Sequence, residues 1–297
     1  MTTEDGSTIS IRRLKAWDEY LAAEELQRVV WQMPDWRDAV PANLMIAVNK
    51  NAGLALGAFT PDGRLVGLAF GFIGMERRGG LAKFKHHSHM LAVLPEYQSR
   101  KIGVRLKFKQ REETLAQGID LMTWTYDPLQ AGNANLNLMH LGAIARRYLP
   151  DAYGEMTDGL NAGIASDRFE AEWWLNAPRV KQCAAGQPQR FEWAALLHAG
   201  VPEVFRANLD AHGLPHIESE NALHGERLLL EIPASIRAVK TASLDLAREW
   251  RARTRDVFRR AFAAGYAAVG FVFMTQDGHR RAAYLLSREP IEMGADG

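Results

Sequence analysis

The stretch that most constrains the fold runs from residue 86 to residue 127, because it reads as strand, turn, helix and second strand. An apolar run ends at Val93, where a proline stops it, and a basic turn containing Gly103 follows. A helix is predicted from about residue 102 to residue 117, since Gly118 is the residue type expected just past a helix end. Another apolar run then forms a second strand. This order predicts an α/β (α+β) fold.

Composition and charge exclude several classes of protein. The chain has 297 residues, of which 47% are hydrophobic and 24% charged, which is typical of a globular protein of one large or two ordinary domains. A net charge of +1 gives no bulk attraction for nucleic acid or an anionic membrane. Cys183 is the single cysteine, so no intramolecular disulfide can form. Neither a signal peptide nor a membrane-length apolar run is recognisable, and we predict a cytoplasmic location.

The residues before the constraining stretch predict a strand followed by helices and a hairpin. Alternation over residues 7–14 indicates the strand, and apolar spacing over 17–31 and 42–51 indicates two helical segments. Asp62-Gly63 lies between two apolar runs, which is typical of a β-hairpin because its tight turn needs positive φ.

The residues after the stretch predict a closing pair of strands and a second domain. A polar break over 128–137 precedes a helical stretch, and strands are predicted over 155–161 and 167–175. Residues 176–189 are rich in Pro, Gly and Gln, as a linker would be. A strand, a helix over about 243–264, a strand, a turn and a strand follow. We therefore predict two domains, one over 1–176 and a smaller α+β domain over 177–297.

The turn before residue 103 has the features of a phosphate site. A helix N-terminus presents unpaired backbone N–H groups and a partial positive charge, which favours anions. Gly103 would let the backbone approach a ligand closely, and Arg100, Lys101 and Arg105 supply cations nearby. Gln98 adds a neutral donor.

The segment LAVLPEYQSRKIGVRL resembles motif A of the GNAT superfamily of acyl-CoA N-acyltransferases. The residues in register with the motif are Val93, Pro95, Tyr97, Gln98, Ile102 and Gly103. Lys101 departs from it, since the motif has its first glycine there. The order of elements over residues 7–176 is also similar to this superfamily. The resemblance implies a mixed central sheet flanked by helices.

The resemblance also implies acetyl-CoA as co-substrate and the residues that bind it. The backbone of Leu91, Ala92 and Val93 would pair with the pantetheine arm. Asn133 or Asn135 would line the other side of that arm. The pyrophosphate would be held by the turn of Gln98, Ser99, Arg100, Lys101, Ile102, Gly103 and Val104.

Candidate catalytic residues come from the strand before the turn and from tyrosines. His87 and His89 share one strand face, and His87 matches the position where several GNAT relatives carry a general base; a structural, hydrogen-bonded role is the alternative for both. Two imidazoles without a third ligand predict no metal site. Leu138 occupies the place of the tyrosine that often protonates the leaving thiolate. Its candidate substitutes, each alternatively a packing residue, are Tyr126, Tyr148 and Tyr153.

We therefore predict a GNAT-type N-acetyltransferase that acts by direct attack of an amine from a small-molecule or peptide acceptor. The C-terminal domain would shape the acceptor pocket or form a homodimer contact. It is either a degenerate half of the same fold, because residues 228–265 echo the element order of 91–118, or an ordinary α+β domain. One alternative function is a non-catalytic acyl-CoA sensor or scaffold. A nucleic-acid-binding module is disfavoured by the charge balance and by the lack of an aromatic-basic repeat.

Overall fold

The computed structural model describes residues 9–154 and 163–294, which belong to two compact units. One unit extends to Trp124, and the other begins at Thr125. This division differs from the predicted boundary between residues 176 and 177. That boundary concerns which segment folds independently, and it stays a prediction.

The first unit contains a mixed sheet with helices packed on it. Its strands follow the order β1-β2-β3-β4-β5, antiparallel except for the parallel pair β4 and β5. This arrangement confirms the predicted fold class and the order of strand, two helices, three antiparallel strands, helix and strand. The elements are β1 (Ser10–Arg13), α1 (Trp17–Trp31), α2 (Ala42–Lys50), β2 (Leu54–Phe59), β3 (Leu65–Arg78), β4 (Leu81–Val93), α3 (Ile102–Ala116) and β5 (Leu121–Tyr126), which begins in this unit.

The core of the first unit explains why α3 lies on the sheet. Ile102 and Leu106 on α3 are buried against the apolar residues of β2 and β3. At the predicted hairpin, Gly63 has a φ of 86°, a conformation that side chains other than that of glycine rarely adopt. The sequence signals for α3 and for the hairpin therefore agree with the tertiary packing.

A β-bulge interrupts the pairing of β3 with β4 close to the turn. Phe70 pairs with Met90 and Gly71 pairs with Ser88, so His89 is the extra residue on β4. A Cβ atom on Gly71 would lie 2.3 Å from His86 Nε2 and 2.5 Å from a backbone oxygen. Only glycine fits at this crossing of the two strands.

The second unit contains an antiparallel sheet in the order β7-β6-β11-β12-β10 and a separate hairpin of β8 and β9. Its strands are β6 (Ile144–Leu149), β7 (Arg168–Trp174), β8 (Phe205–Leu209), β9 (Pro215–Glu220), β10 (Arg227–Ile232), β11 (Ala267–Gln276) and β12 (His279–Ser287). Its helices are α4 (Ala131–Asn135), continued by a π-helical turn over Leu136–His140, then α5 (Pro178–Ala184), α6 (Trp193–His198), α7 (Ile236–Ala242) and α8 (Leu244–Ala263).

Aromatic packing holds α8 against the sheet of the second unit. Trp250 and Phe258 on this helix are fully buried, as expected for the apolar face of an amphipathic helix. The ring of Phe258 lies 4.6 Å from that of Phe169 on β7 and 5.2 Å from that of Tyr284 on β12. The long helix thus joins strands that are far apart in the sequence.

Two predictions about the middle of the chain need correction, and a third concerns residues outside the described ranges. The predicted polar break is mostly helical, because Ala131, Ala134 and Leu138 are buried. The predicted linker contains α5. The strand predicted over 155–161 lies outside the described residues, and β7 pairs with β6. Within the described residues, no helix is both long and apolar enough to cross a membrane.

Candidate functional site

The turn between β4 and α3 presents a row of backbone amides without partners. Ser99 and Lys101 adopt left-handed conformations, with φ of 65° and 58°, and no side chain caps the helix that follows. The amides of Ser99, Lys101, Ile102, Gly103 and Val104 donate to no acceptor in the described part of the chain. A helix N-terminus of this kind can bind an anion through several N–H groups.

Gln98 ties the turn to the end of β4. Its side-chain Nε2 donates to the carbonyl oxygen of Val93 at 3.2 Å, and its backbone amide donates to that of Pro95 at 3.2 Å. Both donors are therefore engaged within the protein. Gln98 holds the shape of the turn, and the amides that follow it are the ones available to a ligand.

The start of α3 lies beside the end of β4. A Cβ atom on Gly103 would lie 3.7 Å from Leu91 Cδ2 and 3.9 Å from Val93 Cγ2, which is ordinary van der Waals distance. The structure thus brings together three of the residues predicted to bind the co-substrate. Ala92 lies between the two strand residues in sequence but is 2% exposed, and it is part of the core.

The cations near the turn have different surroundings. Lys101 is exposed at the helix start. The guanidinium of Arg100 lies 5.0 Å from the centre of the Tyr97 ring. Arg105 donates to the backbone oxygen of Ile9 at 2.6 Å, so it supports the fold of the first unit.

His87 and His89 lie together on β4, as their sequence positions predicted. Their ring centres are 6.2 Å apart, and the ring of Phe72 lies 5.2 Å from His87 and 5.9 Å from His89. Burial, helped by the neighbouring positive charges of His89, Lys85 and Lys107, lowers the pKa of His87 to about 4. Burial also lowers the pKa of His89. Both imidazoles are neutral at neutral pH and can accept a proton, although only as weak bases.

A buried polar cluster on the inner side of β4 was not predicted from the sequence. It consists of His86, Ser88, Lys107 and Gln110. Lys107 Nζ donates to Ser88 Oγ at 2.9 Å and to Gln110 Oε1 at 3.2 Å, and it lies 3.7 Å from the centre of the Trp124 ring. Burial lowers the pKa of Lys107 well below its usual range.

The cluster corrects one interpretation of the sequence. A lysine on a helix that packs on a sheet is expected at the helix surface, but Lys107 on α3 is 2% exposed. His86 in the same cluster is fully buried, and burial followed by the charge of Lys107 lowers its pKa to about 3. The sequence signal that could have found the cluster is the strict alternation of His86 and Ser88 with the outward-facing His87.

The tyrosines predicted as proton donors lie in the second unit. The Tyr148 hydroxyl donates to Asp167 Oδ2 at 2.5 Å, and burial followed by that carboxylate raises the pKa of Tyr148. Tyr153 is 51% exposed, and its hydroxyl lies 2.8 Å from Thr125 Oγ1. Tyr126 is buried, and burial raises its pKa. A phenol with a raised pKa is a weak proton donor, which disfavours Tyr126 and Tyr148.

The predicted asparagines belong to α4, also in the second unit. Asn133 is exposed, and Asn135 at the end of the helix is half-buried. Leu138, at the place of the usual tyrosine, is 2% exposed. Among the described residues, no group of three or more His, Cys, Asp or Glu side chains could hold a metal ion.

Comparison with known proteins gives matches among solved structures only. No protein-family model and no curated protein matches the sequence. The NatC complex bound to Gag peptide and CoA matches at 14% identity over 55% of this chain and 96% of that chain, with a TM-score of 0.43. The ribosomal-protein-S18-alanine N-acetyltransferase from Escherichia coli matches at 14% identity over 56% and 92%, with a TM-score of 0.43. An acetyltransferase of the GNAT family from Streptococcus pneumoniae matches at 16% identity over 56% and 98%, with a TM-score of 0.42. The activity of this chain has to be argued from its own residues.

Proposed function

We propose that this protein transfers an acetyl (acyl) group from acetyl-CoA to an amine of a small-molecule or peptide acceptor. The observation that carries the proposal is the set of backbone amides of Ser99 and residues 101–104, which find no acceptor among the described residues, at the start of a 15-residue helix. Backbone N–H groups at such a helix start suit a diphosphate, which is the most strongly charged part of the nucleotide end of CoA.

The residues around the turn fit the rest of the co-substrate. Gly103 has no side chain that would keep a phosphate away from the amides, and Lys101 and Arg100 can neutralise phosphate charge. The edge of β4 over Leu91 to Val93 would pair with the pantetheine arm. Asn133 and Asn135 remain proposed contacts for the same arm.

The proposed reaction needs a neutral amine, and the two histidines are the candidate proton acceptors, although the lowered pKa makes each a weak base. His87 or His89, which are neutral at neutral pH, would accept a proton from the acceptor, directly or through water. The amine nitrogen would then attack the thioester carbonyl carbon, so that a C–N bond forms and the C–S bond breaks. The leaving thiolate would take up a proton from Tyr153, the proposed donor among the tyrosines, and the proton that the nitrogen loses as the amide forms would restore Tyr153.

A second candidate function is acyl-CoA binding without turnover. The observations that favour it are the buried Leu138 at the place of the usual tyrosine and the raised pKa of Tyr148 beside Asp167. The lowered pKa of His87 also makes it a weak general base. The site therefore has few side chains that could transfer protons efficiently. Binding and turnover must therefore be measured separately.

Binding is tested by isothermal titration of acetyl-CoA into the wild-type chain and into Gly103→Glu and Gly103→Gln. The two variants have nearly equal size, but only the carboxylate repels a diphosphate, so we expect Gly103→Glu to bind about tenfold or more weakly than Gly103→Gln. Gly74→Ala, on the same unit with ordinary contact distances, serves as the fold control and should bind like wild type. Equal affinities of the Glu and Gln variants, or no binding by the wild type, would overturn the proposal.

Turnover is tested by following thiol release from acetyl-CoA with a panel of amines, amino acids and peptides. We expect His87→Ala to lower turnover while acetyl-CoA affinity changes little, and His224→Ala, an exposed histidine of the second unit, to leave both unchanged. Equal losses of affinity and turnover in His87→Ala would assign His87 to structure. Tight binding without turnover on any amine would favour the acyl-CoA sensor.

A further inference from the structure

The second unit contains a cavity of about 280 Å³ that none of the predicted site residues lines. It is bounded by α5, by the neighbouring strands β11 and β12, and by residues 289–292. We propose that this cavity binds a small carboxylic acid with an apolar body, and that Arg179 recognises its carboxylate. The side chains that carry the argument are Arg179, Phe191, Val269, Leu285, Ser287 and Ile291.

Arg179 brings a positive charge to the cavity without a protein carboxylate to balance it. Its Nη2 donates to the backbone oxygen of Val269 at 2.6 Å and more weakly to that of Leu138 at 3.4 Å. Its Nε is buried without an acceptor. Within residues 9–154 and 163–294, Nη1 donates to no acceptor and no carboxylate forms an ion pair with the guanidinium. Burial lowers the pKa of Arg179.

A bound anion would supply the counter-charge that the guanidinium of Arg179 lacks. A guanidinium that is removed from water and has no counter-charge destabilises the protein, and a carboxylate is the group that best matches its planar donors. The two backbone carbonyls hold the guanidinium in one orientation at the cavity wall. The charge is thus fixed in place before a ligand arrives, which lowers the cost of binding.

The other charged residues of the lining do not balance Arg179. Arg227 and Glu289 pair with each other at 2.6 Å, and both are exposed. Glu292 is exposed as well, and its charge does not contribute to the pKa of Arg179. Because Arg227, Glu289 and Glu292 are exposed to solvent, Arg179 is the charged side chain of the lining that water screens least.

The remaining lining determines the body of the ligand. Val269 and Leu285 are buried in the sheet, and Phe191 and Ile291 are partly buried beside them. Ser287 is buried, and its hydroxyl accepts from the backbone amide of Glu289 at 3.1 Å. A volume of about 280 Å³ suits a small organic acid and is too small for a nucleotide or a peptide.

The test uses 4-fluorobenzoate as the probe, with its binding to the full chain followed by ¹⁹F NMR. We expect saturable broadening of the fluorine signal that benzoate reverses and benzamide, its neutral analogue, does not. Loss of the charge in Arg179→Gln should weaken binding by about tenfold or more, the effect of one hydrogen bond to a charged group. Arg259→Gln, which removes an exposed arginine of α8, should bind the probe like wild type.

A second variant keeps the proposal testable if Arg179→Gln does not fold. Ile291→Trp fills the cavity without removing the arginine, and it should abolish binding of the probe. The proposal is overturned if benzamide competes as well as benzoate, or if the cavity-filling variant binds the probe unchanged. Equal competition by inorganic phosphate would identify a general anion site and would also overturn it.

Discussion

At the scale of single residues, Lys107 is the side chain whose position departs most from what a charged residue prefers. It is buried in the first unit, where its ammonium donates to the neutral oxygens of Ser88 and Gln110 and lies near Met122 Sδ and the face of Trp124. Burial of an amine in such surroundings favours its neutral form. Lys107 therefore links the stability of this unit to pH.

We expect Lys107→Met to stabilise the protein at pH 7 by on the order of 1 kcal/mol, because it removes the cost of burying a polar group. The folded state lowers the pKa of Lys107, so the unfolded state binds more protons below pH 10.5 and the wild-type free energy of unfolding rises with pH in this window. The variant should lose that rise. Urea unfolding between pH 6 and pH 10 measures both effects.

Lys109→Met is the matched control for this prediction. Lys109 lies two residues further along α3 and pairs with Glu112 and Glu113, and its pKa is raised. Its removal should slightly destabilise the protein and leave the rise of stability with pH in place. A Lys107→Met variant that is less stable than wild type at pH 7 would contradict the argument.

A buried ion pair of the second unit gives another prediction at the residue scale. Arg251 Nη2 contacts both carboxylate oxygens of Asp127 at 2.7 Å, and both side chains are buried. Asp127→Ala would leave the guanidinium buried without a counter-charge, so we expect a loss of about 3–5 kcal/mol in the free energy of unfolding. The double variant with Arg251→Met should recover part of that loss in urea unfolding. Additive losses in the double variant would argue against the pair.

At the scale of elements, α8 shows how a local sequence signal agrees with packing. Ser243 was predicted to begin this helix, and its hydroxyl accepts from the backbone amide of Leu246 at 3.2 Å. Ser243→Ala should therefore lower the free energy of unfolding by about 1 kcal/mol. Ser243→Asp should restore most of it, because aspartate is an equally good N-cap. Thermal unfolding of the three proteins checks this, and equal midpoints would show that the cap contributes little.

Elements that depend on distant partners were the ones that local patterns did not predict. The residues of α4 include Gly132, Asn133 and Asn135, which are weak helix formers, yet the segment is helical because its small apolar side chains are buried. The same holds for α5, where Val180 and Cys183 are buried within a segment that reads as a linker.

The same distinction between local and distant partners applies to the candidate site and to the cavity. The turn before α3 was predictable because strand, proline, glycine and helix follow each other directly in the sequence. The Lys107 cluster and the Arg179 cavity were not, since each joins residues from elements that only the fold brings together. Sequence periodicity assigns a residue to one face of a helix or strand, but it does not show which other elements pack against that face.

At the scale of the whole molecule, strand pairing decides which fragments can fold. The predicted N-terminal domain ends at residue 176, within the second compact unit. A chain cut there would keep β6 and β7 but lose β11, which pairs with β6 at Ala145. It would also lose Arg255, the ion-pair partner of Asp167, and the ring of Phe258 that packs on Phe169.

We therefore expect residues 125–176 to stay unfolded in the fragment of residues 1–176, so that its thermal transition reports the first unit alone, whereas the full chain unfolds with the signal of both units. The exposed faces of β6 and β7 would bury too little apolar surface to offset the conformational entropy of residues 125–176. Circular dichroism during heating and resistance to proteolysis measure the difference, with the full chain as control. A fragment in which residues 125–176 resist proteolysis as they do in the full chain would instead support the boundary at residue 176, because β6 and β7 would then be stable without β11 and α8.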